Sequence, residues 1–149
     1  MSNAARDIAL QIPVEIKIRD WVAMRWGGLV APQKSGRDSE KDAVIYRPFK
    51  IEIKCDIMAE QTGNVFLEVF NPYLNQPSGL SATTANYWIH YIPSRKIALV
   101  FGPKKMLAEL QKHPEWKRCG VGDNNSDGYI PTIQEVAAMP FVTIEEMLL

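Results

Sequence analysis

Residues 42–68 read DAVIYRPFKIEIKCDIMAEQTGNVFLE, and the pattern within this stretch decides the predicted fold. Apolar and charged residues alternate over residues 49–56, which is the period of a β-strand. Glu52 and Lys54 are therefore neighbours on one face of that strand. Residues 42–46 give a second short strand, so the stretch predicts a hairpin or a bent pair of strands.

Two further carboxylates flank this strand, Asp42 upstream and Glu68 downstream. Glu68 belongs to a strand predicted over residues 65–70, where it shares a face with two phenylalanines, and both faces of that strand read as buried. A carboxylate buried between aromatic rings costs several kcal/mol, on the order of 2–7, unless it is paired or bound to a metal. Glu68 is thus a candidate site residue, with a buried ion pair to a Lys or Arg, Lys54 among them, as the alternative.

The set Asp42, Glu52 and Lys54 resembles the active site of the PD-(D/E)xK nuclease superfamily, although Lys41 stands where the family has a proline. The segments TGNVFLE (62–68), SGLS (78–81) and ANYW (85–88) follow in the order found in small nuclease-like members. The resemblance covers about residues 15–101. It implies a restriction-endonuclease-like core, a mixed central β-sheet flanked by helices.

The resemblance also implies a metal-dependent reaction. The implied metal ligands are Asp42, Glu52, the carbonyl of Ile53, Glu68 and, as an additional ligand, Glu15. Because the side-chain ligands are all carboxylates, Mg²⁺ or Mn²⁺ is expected rather than Zn²⁺. Lys54 would position or deprotonate the attacking water, or stabilise charge on the phosphate. The alternative for Glu15 is an i,i+4 pair with Arg19 on a solvated helix face.

Basic residues surround the proposed site in sequence and are candidates for phosphate contacts. They are Lys34, Arg37, Lys41, Arg47 and Lys50. The alternative is an ordinary solvated loop. The whole chain has 17 basic and 17 acidic residues, but residues 119–149 hold five of the acids and no Lys or Arg. Residues 1–118 therefore carry a net charge of +5, which suits phosphate contacts.

The composition indicates one globular domain. The chain has 149 residues, of which 46% are hydrophobic and 23% charged. Its two cysteines, Cys55 and Cys119, have no metal-ligand spacing and read as free thiols in a reducing compartment. No apolar run reaches the roughly 20 residues of a membrane span, and no secretion signal is visible, so a cytoplasmic location is expected.

The remaining chain predicts further elements around this core. The resemblance, whose core begins with a helix, favours a helix over residues 14–26, although the apolar alternation over residues 8–18 also fits a strand. A short helix through residue 86 is expected after a cap at Ser81 or Thr83, and further helices over residues 103–113, 131–138 and 143–149. Strands are expected over residues 29–31, 87–92 and 96–101, and turns over 61–64 and 119–129. Trp88, His90 and Tyr91 are expected in the core rather than stacked on bases. Residues 119–149 are predicted to form an acidic extension packed on a single domain over residues 1–149.

These observations favour a small endonuclease that hydrolyses DNA phosphodiesters with Mg²⁺ or Mn²⁺. A structure-selective, repair or phage-related enzyme fits a chain without a separate recognition domain, and a homodimer is compatible with it. The alternatives are a non-catalytic nucleic-acid- or protein-binding module of the same fold, and a small-molecule-binding α/β protein.

Overall fold

The computed structural model describes residues 13–22, 43–45, 49–121 and 125–148. Its helices are α1 (13–22), α2 (Ala59–Thr62), α3 (Pro103–Leu110) and α4 (Ile133–Ala137). Its strands are β1 (Ala43–Ile45), β2 (Phe49–Cys55), β3 (Leu67–Asn71), β4 (Gln76–Pro77), β5 (Tyr87–Ile92), β6 (Ile97–Phe101), β7 (Lys117–Arg118), β8 (Asp127–Tyr129) and β9 (Thr143–Glu146). Short 3₁₀ helices span Gly79–Ser81, Pro93–Arg95 and Pro114–Trp116.

The strands form two sheets. The larger sheet has the order β1-β2-β5-β6-β9, and the smaller has the order β4-β3-β8-β7. In the larger sheet β2 and β5 run parallel, whereas the other neighbours are antiparallel, so the sheet is mixed. The fold is therefore mixed α/β, as the sequence predicts.

Helix α1 covers one face of the larger sheet. Ile18 and Val22 of α1 are fully buried, and they belong to one apolar cluster with Ile51, Ile53 and Cys55 of β2. These are the apolar residues of the alternating stretch. The alternation therefore places Glu52 and Lys54 on the face that is turned away from α1.

The second sheet, α3 and α4 cover the opposite face of the larger sheet. Trp88, Leu99 and Phe101 point from β5 and β6 into this layer. The residues that meet them from the other side are Val65, Leu67, Met106, Leu110, Tyr129, Ile133 and Val136. Two apolar layers thus sandwich the larger sheet, and its burial on both faces explains the nearly continuous apolar sequence of β5 and β6.

Several predicted elements are confirmed. The predicted hairpin exists, with Ala43 opposite Ile51 and Ile45 opposite Phe49. The strand predicted over residues 87–92 is found with those bounds, and β6 and the helices α3 and α4 fall within their predicted ranges. The helix predicted over residues 14–26 is found over 13–22. Its remainder and the strand predicted over 29–31 lie outside the described residues.

Two predicted helices are wrong. Residues 143–149 contain the strand β9, which pairs with β6 through Leu99 and Ile144, because the backbone groups on that side of β6 require partners. Residues 83–86 are not helical. A 3₁₀ turn precedes them, and the hydroxyl of Thr83 accepts a hydrogen bond from the Ala85 N–H.

The segment from residue 119 is predicted as an acidic extension packed on the domain, and it supplies strands to both sheets. Strand β8 pairs with β3, and β9 pairs with β6. The turn predicted over residues 61–64 is in part a short helix, α2, which ends at Gly63 in the left-handed conformation. None of the described helices is long and apolar enough to cross a membrane.

Candidate active site

A cleft of about 330 Å³ opens between the charged face of β2 and the second sheet. Its walls carry three of the residues singled out from the sequence, Glu52, Lys54 and Glu68. The remaining lining residues are Phe66, Gln76, Pro77, Ser78, Gly79, Ala82, Thr83 and Trp88. The structure therefore brings an acid–lysine pair and a second carboxylate to one concave site. Asp42 lies outside the described residues.

Strand parity and the parallel pairing to β5 fix the positions of Glu52 and Lys54. Glu52 is paired in register with Trp88, and Lys54 with His90. Trp88 and His90 are buried, as predicted for core aromatics, and the Trp88 ring stacks on Phe101 with centroids 6.4 Å apart. Both charged side chains are half-buried against this rigid floor.

Glu68 reaches the cleft from the second sheet. The ladder between β3 and β8 shifts register between Glu68 and Phe70, as at a β-bulge. Glu68 is half-buried, so the sequence-based expectation of a strand buried on both faces was too strong. Among the described residues, Glu68 forms no salt bridge with Lys54. The alternative explanation for Glu68, a buried ion pair with Lys54, is therefore wrong.

Gly79 allows the chain to pass close to the Glu68 backbone. Its φ is +51°, and a Cβ built at this position would lie 2.3 Å from the Glu68 carbonyl oxygen. Only glycine adopts such a conformation without strain and leaves room for this approach. The SGLS segment therefore holds the β3 wall of the cleft in place.

Two hydroxyl groups in the cleft wall were not predicted as site residues. The Thr83 hydroxyl donates a short hydrogen bond to the Glu52 carboxylate. The Ser78 Oγ is buried and has no hydrogen-bond partner among the described residues. Both belong to the chain between β4 and β5, where the sequence predicts a short helix through residue 86 and gives no indication of what this stretch contacts.

The donor set of the cleft fits a hard divalent cation. Among the described lining residues, Glu52 and Glu68 offer carboxylate oxygens and Thr83 a hydroxyl oxygen, and none is a His or Cys. Oxygen ligands of this kind suit Mg²⁺ or Mn²⁺ rather than Zn²⁺. The part of the chain that the structure describes contains no group of three or more His, Cys, Asp or Glu arranged to hold a metal.

A buried polar network lies behind the cleft floor. The Trp88 Nε1–H donates to His90 Nδ1 over 3.3 Å, and His90 Nε2 lies 2.8 Å from Asp56 Oδ2. Because Nδ1 accepts a hydrogen bond, Nε2 carries the proton and donates to Asp56. The backbone N–H groups of Ala59 and Phe66 also donate to the Asp56 carboxylate.

The charge of Asp56 is stabilised by these donors. Burial of the carboxyl group opposes its ionisation, but the hydrogen bonds from His90 and from two backbone N–H groups outweigh burial, so the pKa of Asp56 is lowered from its ordinary value. The network fixes the position of the Trp88 indole, and with it the surface on which Glu52 and Lys54 rest.

Other predicted site residues lie elsewhere. Glu15 is on α1, which packs on the opposite face of the larger sheet, so it is not brought to the Glu52 cleft. Burial raises the pKa of the Cys55 thiol to about 11, and the negative charge of Glu15 contributes to the rise. Lys50 lies beside the cleft, with its Nζ 3.4 Å from the Thr84 hydroxyl. The candidate phosphate-binding residues Lys34, Arg37, Lys41 and Arg47 lie outside the described residues.

Neither a model of a known protein family nor a curated protein matches this chain.

Proposed function

We propose that this protein is a divalent-metal-dependent nuclease that hydrolyses DNA phosphodiester bonds in the cleft lined by Glu52, Lys54 and Glu68. The observation that carries the proposal is the convergence of two carboxylates and a lysine, from strands of two different sheets, on one concave site. The mixed sheet with α1 on one face supports a restriction-endonuclease-like core. The proposed enzyme is cytoplasmic and acts as a monomer or a homodimer.

Four of the lining residues have roles in the proposed reaction, namely Glu52, Lys54, Glu68 and Thr83. Glu52 and Glu68 would hold Mg²⁺ or Mn²⁺, together with the Ile53 carbonyl and with Asp42, as the resemblance to the PD-(D/E)xK superfamily implies. An ion held there would supply a water molecule of lowered pKa and would neutralise charge on the phosphodiester. Lys54 orients the attacking water or stabilises the charged transition state. The Thr83 hydroxyl fixes the orientation of the Glu52 carboxylate.

The test compares cleavage by the wild-type protein with cleavage by variants of the cleft. Supercoiled, branched and single-stranded DNA are incubated with Mg²⁺ or Mn²⁺, and EDTA should abolish cleavage. Glu52→Gln removes a metal ligand and should abolish both cleavage and metal binding. Lys54→Ala should reduce cleavage on the order of 10²–10⁴-fold while leaving metal binding intact, because an ammonium group is not a metal ligand.

Two matched variants control for loss of charge alone. Glu60→Gln and Lys117→Ala alter exposed residues outside the cleft and should cleave as the wild type does. Lys54→Ala should also melt near the wild-type temperature, since Lys54 has no ion-pair partner among the described residues. Normal cleavage by Lys54→Ala, or by Glu52→Gln, would overturn the assignment.

A non-catalytic binding module of the same fold is the second candidate function. One observation favours it, namely that the described residues bring two carboxylates to the cleft rather than three or more. The same experiments separate the candidates. A protein that binds DNA but cleaves none of the substrates with either ion is a binding module.

A further inference from the structure

A second cleft adjoins the candidate active site. It has a volume of about 640 Å³ and lies between the chain that enters β5 and the first turn of α3. Thr83 lines both clefts. Because the Thr83 hydroxyl is bonded to Glu52, the second cleft begins beside the proposed metal ligand. The two clefts are therefore neighbours on either side of Thr83.

The second cleft differs from the first in charge. Lys104 and Lys105 line it, and both are exposed. Its lining, within the described part of the chain, includes no aspartate or glutamate. Lys50 adds positive charge at the edge, where its Nζ lies 3.4 Å from the hydroxyl of Thr84, another lining residue. The first cleft, which contains Glu52 and Glu68, is suited to a cation. The second cleft, which contains Lys104 and Lys105, is suited to phosphate groups.

The second cleft also presents aromatic rings. Tyr87, at the start of β5, is 38% exposed, and Phe141, which also lines the cleft, is half-buried. The hydroxyl of Thr84 and the amide of Asn86 add neutral hydrogen-bonding groups to the lining. Lysines that contact the backbone, combined with accessible aromatic rings that stack on bases, are typical of sites for single-stranded nucleic acid.

From these observations we infer that the second cleft binds an unpaired segment of the DNA strand that is cut, with its phosphates on Lys104 and Lys105 and a base against Tyr87. In a duplex the faces of the bases are covered by their neighbours, so stacking on Tyr87 requires an unstacked base. This inference rests on the proposed function. It makes the enzyme selective for single-stranded DNA or for branched DNA with an unpaired arm.

Binding is measured separately from cleavage, by fluorescence anisotropy in EDTA. The probes are a fluorescein-labelled single-stranded deoxyoligonucleotide of mixed sequence and a hairpin duplex. The wild-type protein should prefer the single strand. Lys104→Gln/Lys105→Gln should weaken single-strand binding on the order of 10-fold, and should make the slope of log affinity against log salt concentration shallower by about 1.4, since each phosphate contact contributes about 0.7.

Tyr87→Leu tests the stacking contribution and should weaken single-strand binding on the order of 10-fold or more, with little change in the salt slope. Circular dichroism and thermal melting check that this variant is folded. The charge-matched control is Lys112→Gln/Lys117→Gln, because both lysines are exposed and neither lines the cleft. This control should bind as the wild type does.

The outcomes separate this inference from the proposed function. If Glu52→Gln abolishes cleavage while Lys104→Gln/Lys105→Gln binds like the wild type, the nuclease stands and the second cleft is not the strand site. If the lysine variant loses binding but the wild-type protein cleaves no substrate, the strand site stands and the nuclease is refuted. Equal loss of binding by the Lys112→Gln/Lys117→Gln control, or a wild-type preference for the duplex, overturns the inference.

Discussion

Asp56→Asn offers a sharp test of the network behind the cleft. Asp56 is 7% exposed and accepts hydrogen bonds from His90, Ala59 and Phe66. An asparagine has the same shape but only one acceptor oxygen. If that oxygen serves His90 and Phe66, its amide NH₂ group faces the Ala59 N–H. In the opposite orientation it faces the other two donors.

The cost follows from these contacts. His90 cannot change tautomer to help, because its Nδ1 already accepts from Trp88. At least one buried donor is left unsatisfied and a charge-assisted bond becomes neutral, so the expected loss is about 2–4 kcal/mol in the free energy of unfolding. Asp56→Ala leaves all three donors without a partner and should cost about 3–5 kcal/mol, as when one partner of a buried charged pair is removed.

The assay is urea unfolding at neutral pH, followed by tryptophan fluorescence. The exposed Asp20 gives the control, and Asp20→Asn should change stability by less than about 0.5 kcal/mol. Because the pKa of Asp56 is lowered on folding, its ionised form contributes stability that is full above the ordinary aspartate pKa. This contribution is lost as the pH falls through the folded value. The difference between the wild type and Asp56→Asn should therefore shrink in acid. If Asp56→Asn lowers the free energy of unfolding by less than about 0.5 kcal/mol at neutral pH, as a surface substitution does, the network does not stabilise the fold and the prediction is refuted.

Two further predictions concern packing and reactivity. Gly79→Ala should lower the melting temperature sharply, because its Cβ would lie 2.3 Å from the Glu68 carbonyl oxygen, whereas Gly63→Ala, also at positive φ but with open space, should cost only about 1–2 kcal/mol. Equal melting temperatures for the two variants would show that the backbone at Glu68 moves to make room for the added methyl group, which would contradict the prediction. Iodoacetamide at mildly alkaline pH should label the exposed Cys119 and spare the buried Cys55, because burial raises the pKa of the Cys55 thiol to about 11. Mass spectrometry identifies the labelled thiols. Modification of both thiols in the folded protein would contradict the buried position of Cys55.

The local sequence pattern was sufficient for the part of the site that lies on one strand. The alternation around Ile51 and Ile53 gives both the strand and its faces, because one face packs against α1 and the other does not. Glu68 is predicted from a different argument, the cost of burying a carboxylate, although the structure leaves its side chain half-buried. That argument predicted a site role without predicting that Glu68 comes from a separate sheet.

Features that depend on distant partners could not be predicted in this way. In residues 143–149, Ile144, Met147 and Leu148 have helical spacing, yet only Met147 is buried and the segment is partly a strand. The deciding factor is the edge of β6, about 45 residues earlier in the chain, which no local window contains. The roles of Thr83 and Ser78 cannot be predicted for the same reason, since their contacts in the cleft are with distant strands and their local sequence indicates only a turn and a short helix.

The parallel pairing of β2 with β5 has a consequence for how the candidate site forms. Parallel neighbours require a long connection, and here it is residues 56–86, which carry Glu68, Ser78 and Thr83 over the sheet face. Closing this connection and forming the cleft are therefore a single event. Without the pairing of β2 with β5, Glu52 and Glu68 would not line one cleft. Any chemistry proposed for this cleft therefore belongs to the folded chain and not to a nascent or partly folded copy.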